Sequence, residues 1–364
     1  MKKIFVVLWL LLFSVLSNTY AQSSVPEGFI SLFNGTTFHG WNIQPDKGAW
    51  QVIDGVIRCI GTPNTPYLIL TEKEYENFEL YIDFKMSEGC NSGLFLHQTE
   101  RSWGRESRNG MEIQIFDNAG RGISKNSCGA VYDQVPPIAN PVKPAGLWNT
   151  YYIIMDWPFL KIWLNGQLIQ DLNLENYPDL KYRLRKGYIG LQNHDHFVEF
   201  KNIYIKELPS SEKPWSNLFD GKNLSGWTKT GNATWKIENG VLIASGGSGY
   251  LISNDEFENY ELQIFGKKYQ NGGNSCIFYS WQNEKDMGYR TDFNEMKLGY
   301  QFPLIQVINE GNKSSVRYNG EEISFNTGQT TNPRGKIVLY HSEKDGEIKI
   351  AKIRIKNLDT LTKK

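Results

Sequence analysis

One ordered set of short motifs occurs twice along these 364 residues, and that repeat constrains the fold more than any other feature. The first copy reads Leu32-Phe33-Asn34-Gly35, Gly40-Trp41, Trp50, Asp54-Gly55-Val56-Ile57, Tyr67-Leu68-Ile69, Tyr75-Glu76-Asn77-Phe78-Glu79-Leu80 and Asn91-Ser92. The second reads Leu218-Phe219-Asp220-Gly221, Gly226-Trp227, Trp235, Asn239-Gly240-Val241-Leu242, Tyr250-Leu251-Ile252, Phe257-Glu258-Asn259-Tyr260-Glu261-Leu262 and Asn274-Ser275. The offset between copies drifts only from 186 to 182 and 183, as single-residue loop changes would produce. The pattern predicts two domains, 27–208 and 215–358, joined by the polar linker 209–214.

Within each copy, short alternating segments alternate with turn residues. Phe78, Leu80, Ile82 and Phe84 share one parity, with polar side chains between most of them. Lys161 to Leu168 does the same around Asn165-Gly166, a pair that tolerates the positive φ of a tight hairpin. Val198 to Ile205 reads as another half-buried strand, and sustained helical periodicity is nearly absent. The expected fold is all-β: two antiparallel sandwiches, or jelly rolls, in tandem.

The N-terminus predicts export. Lys2 and Lys3 precede the apolar run Ile4–Leu16, and Thr19 and Ala21 suit the small pockets of a signal peptidase. Residues 1–21 therefore read as a signal peptide that leaves a secreted protein of the periplasm or cell surface, with no membrane span. Its loss takes two lysines and leaves 37 basic against 39 acidic side chains. Such a balance gives no electrostatic reason to expect nucleic acid or an anionic membrane as partner. Four cysteines, Cys59, Cys90, Cys128 and Cys276, are too few for a disulfide scaffold, so the core must carry stability. Aromatics make up 13% of the chain, enough both to fill sandwich cores and to stack on sugar rings.

Strand parity then locates a cluster of polar groups in the first copy, because alternate residues share a face. With Met111, Ile113 and Ile115 inward, Glu112 and Gln114 share the opposite face. Asp117 rejoins that face only if a bulge sits at Phe116. With Ile189 and Leu191 inward, Gln192 and His194 point outward; with Leu94 and Leu96 inward, Phe95 and His97 do. A histidine and a glutamate around one ligand would supply an acid–base pair and a possible site for a divalent cation. The competing reading is a solvated outer face, with Asp117 an ordinary turn residue and His194 and His196 surface histidines. His39 and His341 have no converging company and read as structural or incidental. Trp41 and Trp227 recur in both copies, which marks packing rather than chemistry.

These residues resemble a known family, the 3-keto-disaccharide hydrolase domain. The resemblance runs from about Phe29 to Leu208 through Leu32-Phe33-Asn34-Gly35, Asn91-Ser92-Gly93, Glu112-Ile113-Gln114-Ile115, Gly129-Ala130-Val131-Tyr132, Lys143-Pro144-Ala145-Gly146 and Gly187-Tyr188-Ile189-Gly190-Leu191-Gln192-Asn193-His194. It implies a concanavalin A-like jelly roll that acts on glycosides oxidised at C3. It also implies Glu112 and His194 as catalytic residues, with Gln114, Asp117, Gln192, His97, Asn91, Tyr132 and Lys143 around the substrate. The chain departs from the family pattern at His97, where Arg is usual, at Leu147, where Glu is usual, and at Asp195 and Cys90, where Gly is usual. The second copy is degenerate. It places Tyr340 and Ser342 where Gln192 and His194 stand, shows no clear counterpart of Glu112-Ile113-Gln114-Ile115, and reads as non-catalytic or sugar-binding.

Two other functions fit the same residues. Glu112 and Asp117 would serve a retaining β-glucan hydrolase if their carboxyls stood about 5 Å apart. A jelly roll is also a common frame for a non-catalytic carbohydrate-binding surface protein. The expected partner is a carbohydrate, with an outer-surface interaction protein as the other non-catalytic reading, and the oligomeric state stays open.

Overall fold

The computed structural model of the protein describes residues 25–43, 48–61, 68–99, 109–194, 196–210, 212–269, 273–293, 302–327 and 332–359. The expected signal segment and Asp195 lie outside them. Among the described residues, regular structure is strand apart from one short 3-10 turn at Leu174–Asn176, and no helix is long and apolar enough to cross a membrane. The fold is an antiparallel β-sandwich of the jelly-roll kind, as the alternating segments predict.

Residues 30–207 form two facing sheets. The larger has eight strands, running Gln167–Asn173, Phe159–Leu164, Trp148–Asp156, Phe78–Met86, Val198–Glu207, Val56–Cys59 and Trp50–Ile53, with Ile30–Ser31 added to Val198–Glu207. The smaller has five, in the order Trp41–Asn42, Leu68–Tyr75, Gly187–Gln192, Asn91–Gln98 and Met111–Phe116. Their inner faces meet in one core that includes Phe78, Leu80, Phe84, Leu94, Leu96, Met111, Ile113, Ile115, Ile189, Leu191 and Phe200. Each such side chain contributes about 1.5–3 kcal/mol by leaving water. The same burial that holds the sheets together fixes register, since a one-residue slip would turn Met111, Ile113 and Ile115 outward.

The second repeat, strands Ser216–Phe219 to Ile348–Asn357, closes its two layers differently. In the first, Val56–Cys59 belongs to the larger sheet and Leu68–Tyr75 to the smaller. In the second, one 13-residue strand, Val241–Ser253, does both jobs. Its first half pairs with Ile348–Asn357 and its second half with Lys336–His341, so eleven strands form one continuous, folded-over sheet. The bend falls at Gly246-Gly247, where Gly246 has φ +79°, and a Cβ on Gly247 would meet Asn232 at 2.8 Å. The buried His341 ring spans the bend, with Nδ1 3.1 Å from the Gly247 carbonyl and Nε2 3.2 Å from that of Gly346. His341 is therefore structural. The recurrent tryptophans are too: Trp41 donates Nε1–H to the Leu32 carbonyl at 2.7 Å, and Trp227 donates to Leu218 at the same distance.

The linker is tied down at both ends rather than free. Glu76 accepts from Ser210 Oγ at 2.6 Å and from the Glu212 N–H at 3.1 Å. Glu212 in turn accepts from Trp215 Nε1 at 3.0 Å and pairs with the buried Lys356 at 2.8 Å. All four cysteines are free and buried.

Candidate functional site

The polar cluster forms on the outer face of the five-stranded sheet, where Gly187–Gln192, Asn91–Gln98 and Met111–Phe116 lie side by side. In the ladder Phe95 stands opposite Glu112 and Gly93 opposite Gln114, while Gly190 pairs with Phe95 on the other side. Parity then sends Glu112, Gln114 and Gln192 to the same face as Gly93, Phe95 and Gly190. This face is not the solvated surface of an ordinary antiparallel sheet. Glu112 is 5% exposed, Gln114 and Gln192 are 2%, and Phe95 is fully buried in a small apolar cluster with Leu68 and Leu70.

Gly93 makes the hollow in which Glu112 sits. A Cβ on Gly93 would lie 2.5 Å from Glu112 Oε1 and 2.9 Å from its Cγ, so the carboxyl occupies the space a side chain would fill. A Cβ on Gly190 would come within 3.0 Å of Leu70 and 3.3 Å of Phe95. With its amide turned so that nitrogen meets acceptors, Gln114 donates to Glu112 Oε1 at 3.2 Å and to the Ser92 carbonyl at 3.1 Å. The Asn91 amide lies 3.0 Å from the other end of Gln114. Ser92 Oγ donates to the Gln192 carbonyl at 2.9 Å and holds the two strands in register there.

Electrostatics single out Glu112. Burial pushes its carboxyl up to about 8, and a hydrogen bond from Gln192 offsets only part of that cost. The group is therefore mostly protonated at neutral pH, and its conjugate base is far stronger than an ordinary carboxylate. A carboxyl held off its usual range in a hollow lined by amides is what acid–base catalysis requires.

Other expected site residues divide into those beside Glu112 and those elsewhere. The Tyr132 N–H donates to the Glu112 carbonyl at 2.9 Å, so segment 128–135 covers the edge of Met111–Phe116 and places Tyr132 next to Glu112. His194 is half-buried and lies two residues beyond Gln192, past the end of that strand. His97 does not join the cluster. It sits at φ +58°, which rotates its side chain off the outer face and into full burial against Phe78, with ring centroids 5.8 Å apart. Its Nε2 lies 2.7 Å from the Glu76 carbonyl, and burial depresses its pKa to about 4. Asp117 does not join it either. The ladder runs without a bulge to Phe116, and the Asp117 carboxylate accepts from the Gly89 N–H at 2.9 Å as a turn cap. Lys143 is exposed, and its Nζ donates to the Trp148 carbonyl at 3.0 Å. Among the described residues no three His, Cys, Asp or Glu side chains gather as metal ligands would.

Alternation gave Gly93 no role, although it stands in the Asn91-Ser92-Gly93 motif; only the pairing opposite Gln114, beside Glu112, shows what its missing side chain does.

A family profile described as the 3-keto-alpha-glucoside-1,2-lyase-like domain matches residues 28–206 and 214–310. The chain belongs to this family. The match takes in the first repeat and the second as far as strand Leu304–Glu310, and membership makes the protein a glycoside hydrolase-like enzyme. It is similar to the 3-keto-disaccharide hydrolase of Bacteroides thetaiotaomicron, 27% identical over 234 residues that span 50% of this chain and 79% of that protein. Among solved structures it is similar to two Parabacteroides distasonis proteins provisionally classed as glycosyl hydrolases. One is 30% identical and covers 50% of this chain and 95% of its own, with a TM-score of 0.43. The other is 29% identical and covers 50% and 99%, with a TM-score of 0.42.

Proposed function

We propose that the first repeat cleaves 3-keto-glycosides, with Glu112 as the base that removes the hydrogen on C2. The observation that carries this reading is the raised carboxyl of Glu112 in its glycine-floored, amide-lined hollow. A C3 ketone acidifies the C2–H bond, and a base of pKa about 8 is better matched to that weak carbon acid than an ordinary carboxylate. Glu112 takes the proton, and the C2–H electrons form an enolate whose charge rests on the C3 oxygen. The Gln114 and Gln192 amides hydrogen-bond the Glu112 carboxyl and hold it in position for that transfer. The enolate collapses to a C1=C2 double bond as the C1–O bond breaks, and the leaving oxygen takes a proton from His194 or from the newly protonated Glu112. Water added across C1=C2 completes net hydrolysis. No step needs an oxidant, because oxidation at C3 has already occurred in the substrate.

Two observations disfavour the retaining reading: Asp117 has core parity, and it caps the Gly89 turn. The pattern at the N-terminus supports placing the reaction outside the cytoplasm, on glycosides oxidised in the periplasm or at the cell surface. The test is release of the aglycone from a 4-nitrophenyl 3-keto-glucoside, with the unoxidised glucoside alongside. The proposal expects turnover of the keto compound only, and a loss of about 10²-fold or more in Glu112→Gln. Equal turnover of both compounds would overturn it.

A further inference from the structure

The second repeat has a recess at the same place in its sheet, and its chemistry is different. Its ladder sets Cys276 opposite Asp292 and Phe278 opposite Arg290, where the first repeat sets Gly93 opposite Gln114 and Phe95 opposite Glu112. Arg290 therefore stands at the Glu112 position, Asp292 at the Gln114 position and Cys276 at the Gly93 position. Tyr340 pairs with Tyr250 as Gln192 pairs with Leu68, so the register sets Tyr250 at the Leu68 position, one residue on from the motif match, and two tyrosines replace Gln192 and its neighbour. The recess here is about 450 Å³ and is lined by Tyr250, Cys276, Phe278, Arg290, Tyr340 and Ser342.

Every substitution moves the face from chemistry toward adhesion. No carboxyl stands at the Glu112 position. Burial pushes the Cys276 thiol up to about 12, which leaves it without thiolate character. The Tyr250 and Tyr340 rings lie 4.9 Å apart at 37° to each other, over a patch that includes Phe278, Trp281, Val338 and Ile252. Both tyrosines are half-buried, so the pair offers an aromatic surface at the rim of the recess. Beside it, Arg290 donates from Nε at 2.9 Å and Nη2 at 2.7 Å to Asp292 Oδ1, and both side chains remain open to solvent.

From this geometry we infer that the second repeat holds a neutral pyranose of a glycan chain without cleaving it. A pyranose has an apolar C–H face that lies flat on aromatic rings, and a rim of hydroxyls that both donate and accept. The tyrosine pair supplies the first contact. The Arg290–Asp292 pair supplies donors and an acceptor for adjacent hydroxyls, and its charges cancel, as do those of Glu343 and Lys344 on the same recess, which selects neutral sugars over uronic acids. The site is separate from the Glu112 hollow and is independent of the reaction proposed there.

The test uses the full exported chain carrying Glu112→Gln, so that binding is read without turnover. Cellotriose and maltotriose are titrated by calorimetry and by saturation-transfer NMR. At least one trisaccharide should bind, and Tyr340→Ala and Arg290→Ala should each weaken it about tenfold or more, equivalent to about 1.4 kcal/mol. Tyr340→Phe keeps the aromatic face and should keep the binding. Arg290→Ala alters an exposed side chain, which keeps the test decisive if Tyr340→Ala does not fold. Affinity unchanged by both Ala substitutions would overturn the inference, as would failure of both trisaccharides to bind at about 10 mM.

Discussion

The two repeats place the same ladder position in opposite environments. In the first, Gly93 leaves a hollow, Glu112 fills it, and burial holds the carboxyl near pKa 8. In the second, Cys276 stands where the hollow would be, and Arg290 lies in solvent against Asp292. The frame around both is shared: the tryptophan bonds to Leu32 and Leu218, the turns at Asp54-Gly55 and Asn239-Gly240, and the strained bulges at His97 and Ser280, φ +58° and +56°. The difference teaches that outer-face positions of this fold differ between repeats while the frame that carries them stays the same. Those positions change without cost to the core, because Ile113, Leu94 and Leu191 carry packing from the other face.

The largest effect expected from breaking this contrast is in turnover. Gly93→Ala puts a Cβ 2.5 Å from Glu112 Oε1, which forces the carboxyl out of its hollow. Aglycone release should fall by about 10- to 100-fold, with the raised pKa of Glu112 moved back toward its ordinary value. Unchanged kinetics in a folded Gly93→Ala protein would show that the hollow does not position the base.

Next in size is a stability effect with a defined pH window. Because the folded-state pKa of Glu112 is raised from 4.5 to about 8, its contribution to stability is complete below about 4.5 and is lost as pH rises toward 8. Glu112→Gln should therefore be more stable than the parent by about 2–4 kcal/mol at pH 8, and close to equal at pH 4. Denaturant midpoints at the two pH values measure this. A variant less stable at pH 8 would mean that the carboxylate is paired and welcome in the fold, contrary to the buried-acid description.

The smallest effect tests the shared frame. Trp41→Phe and Trp227→Phe each remove one 2.7 Å hydrogen bond and should each cost about 1 kcal/mol in thermal or chemical unfolding. Equal costs would support an equivalent structural role in the two repeats. A large loss of turnover in Trp41→Phe without loss of stability would give that residue a role in the site.

Much of this was legible from alternation. Apolar parity in Met111–Phe116, Asn91–Gln98 and Gly187–Gln192 put Glu112, Gln114 and Gln192 on one face, because packing of Ile113, Leu94 and Leu191 leaves no other register. Parity failed where backbone conformation breaks the period of two. His97 adopts positive φ, and Gly110 and Gly187 pack against its backbone so closely that a Cβ on either would clash with it, at 2.7 Å or less from the His97 carbonyl oxygen. For Asp117 the bulge was absent and the period simply continued, which kept its side chain at core parity. The counterpart of Glu112-Ile113-Gln114-Ile115 was hidden for another reason. Tyr289-Arg290-Thr291-Asp292 keeps the strand position but neither the charges nor the residue types, so only hydrogen-bond register reveals it. Its one visible signal was Gly288, which precedes Tyr289 as Gly110 precedes Met111.

If Glu112 acts as a base of raised pKa, the pH dependence of kcat/KM for aglycone release from a 3-keto-glucoside follows its carboxyl. A base must be ionised in the free enzyme, so kcat/KM should rise with pH and level off above about 8, following the Glu112 carboxyl. Glu112→Gln should lose that limb along with about 10²-fold or more of the rate. A profile that falls through pH 8, or that keeps its rising limb in Glu112→Gln, would contradict the account.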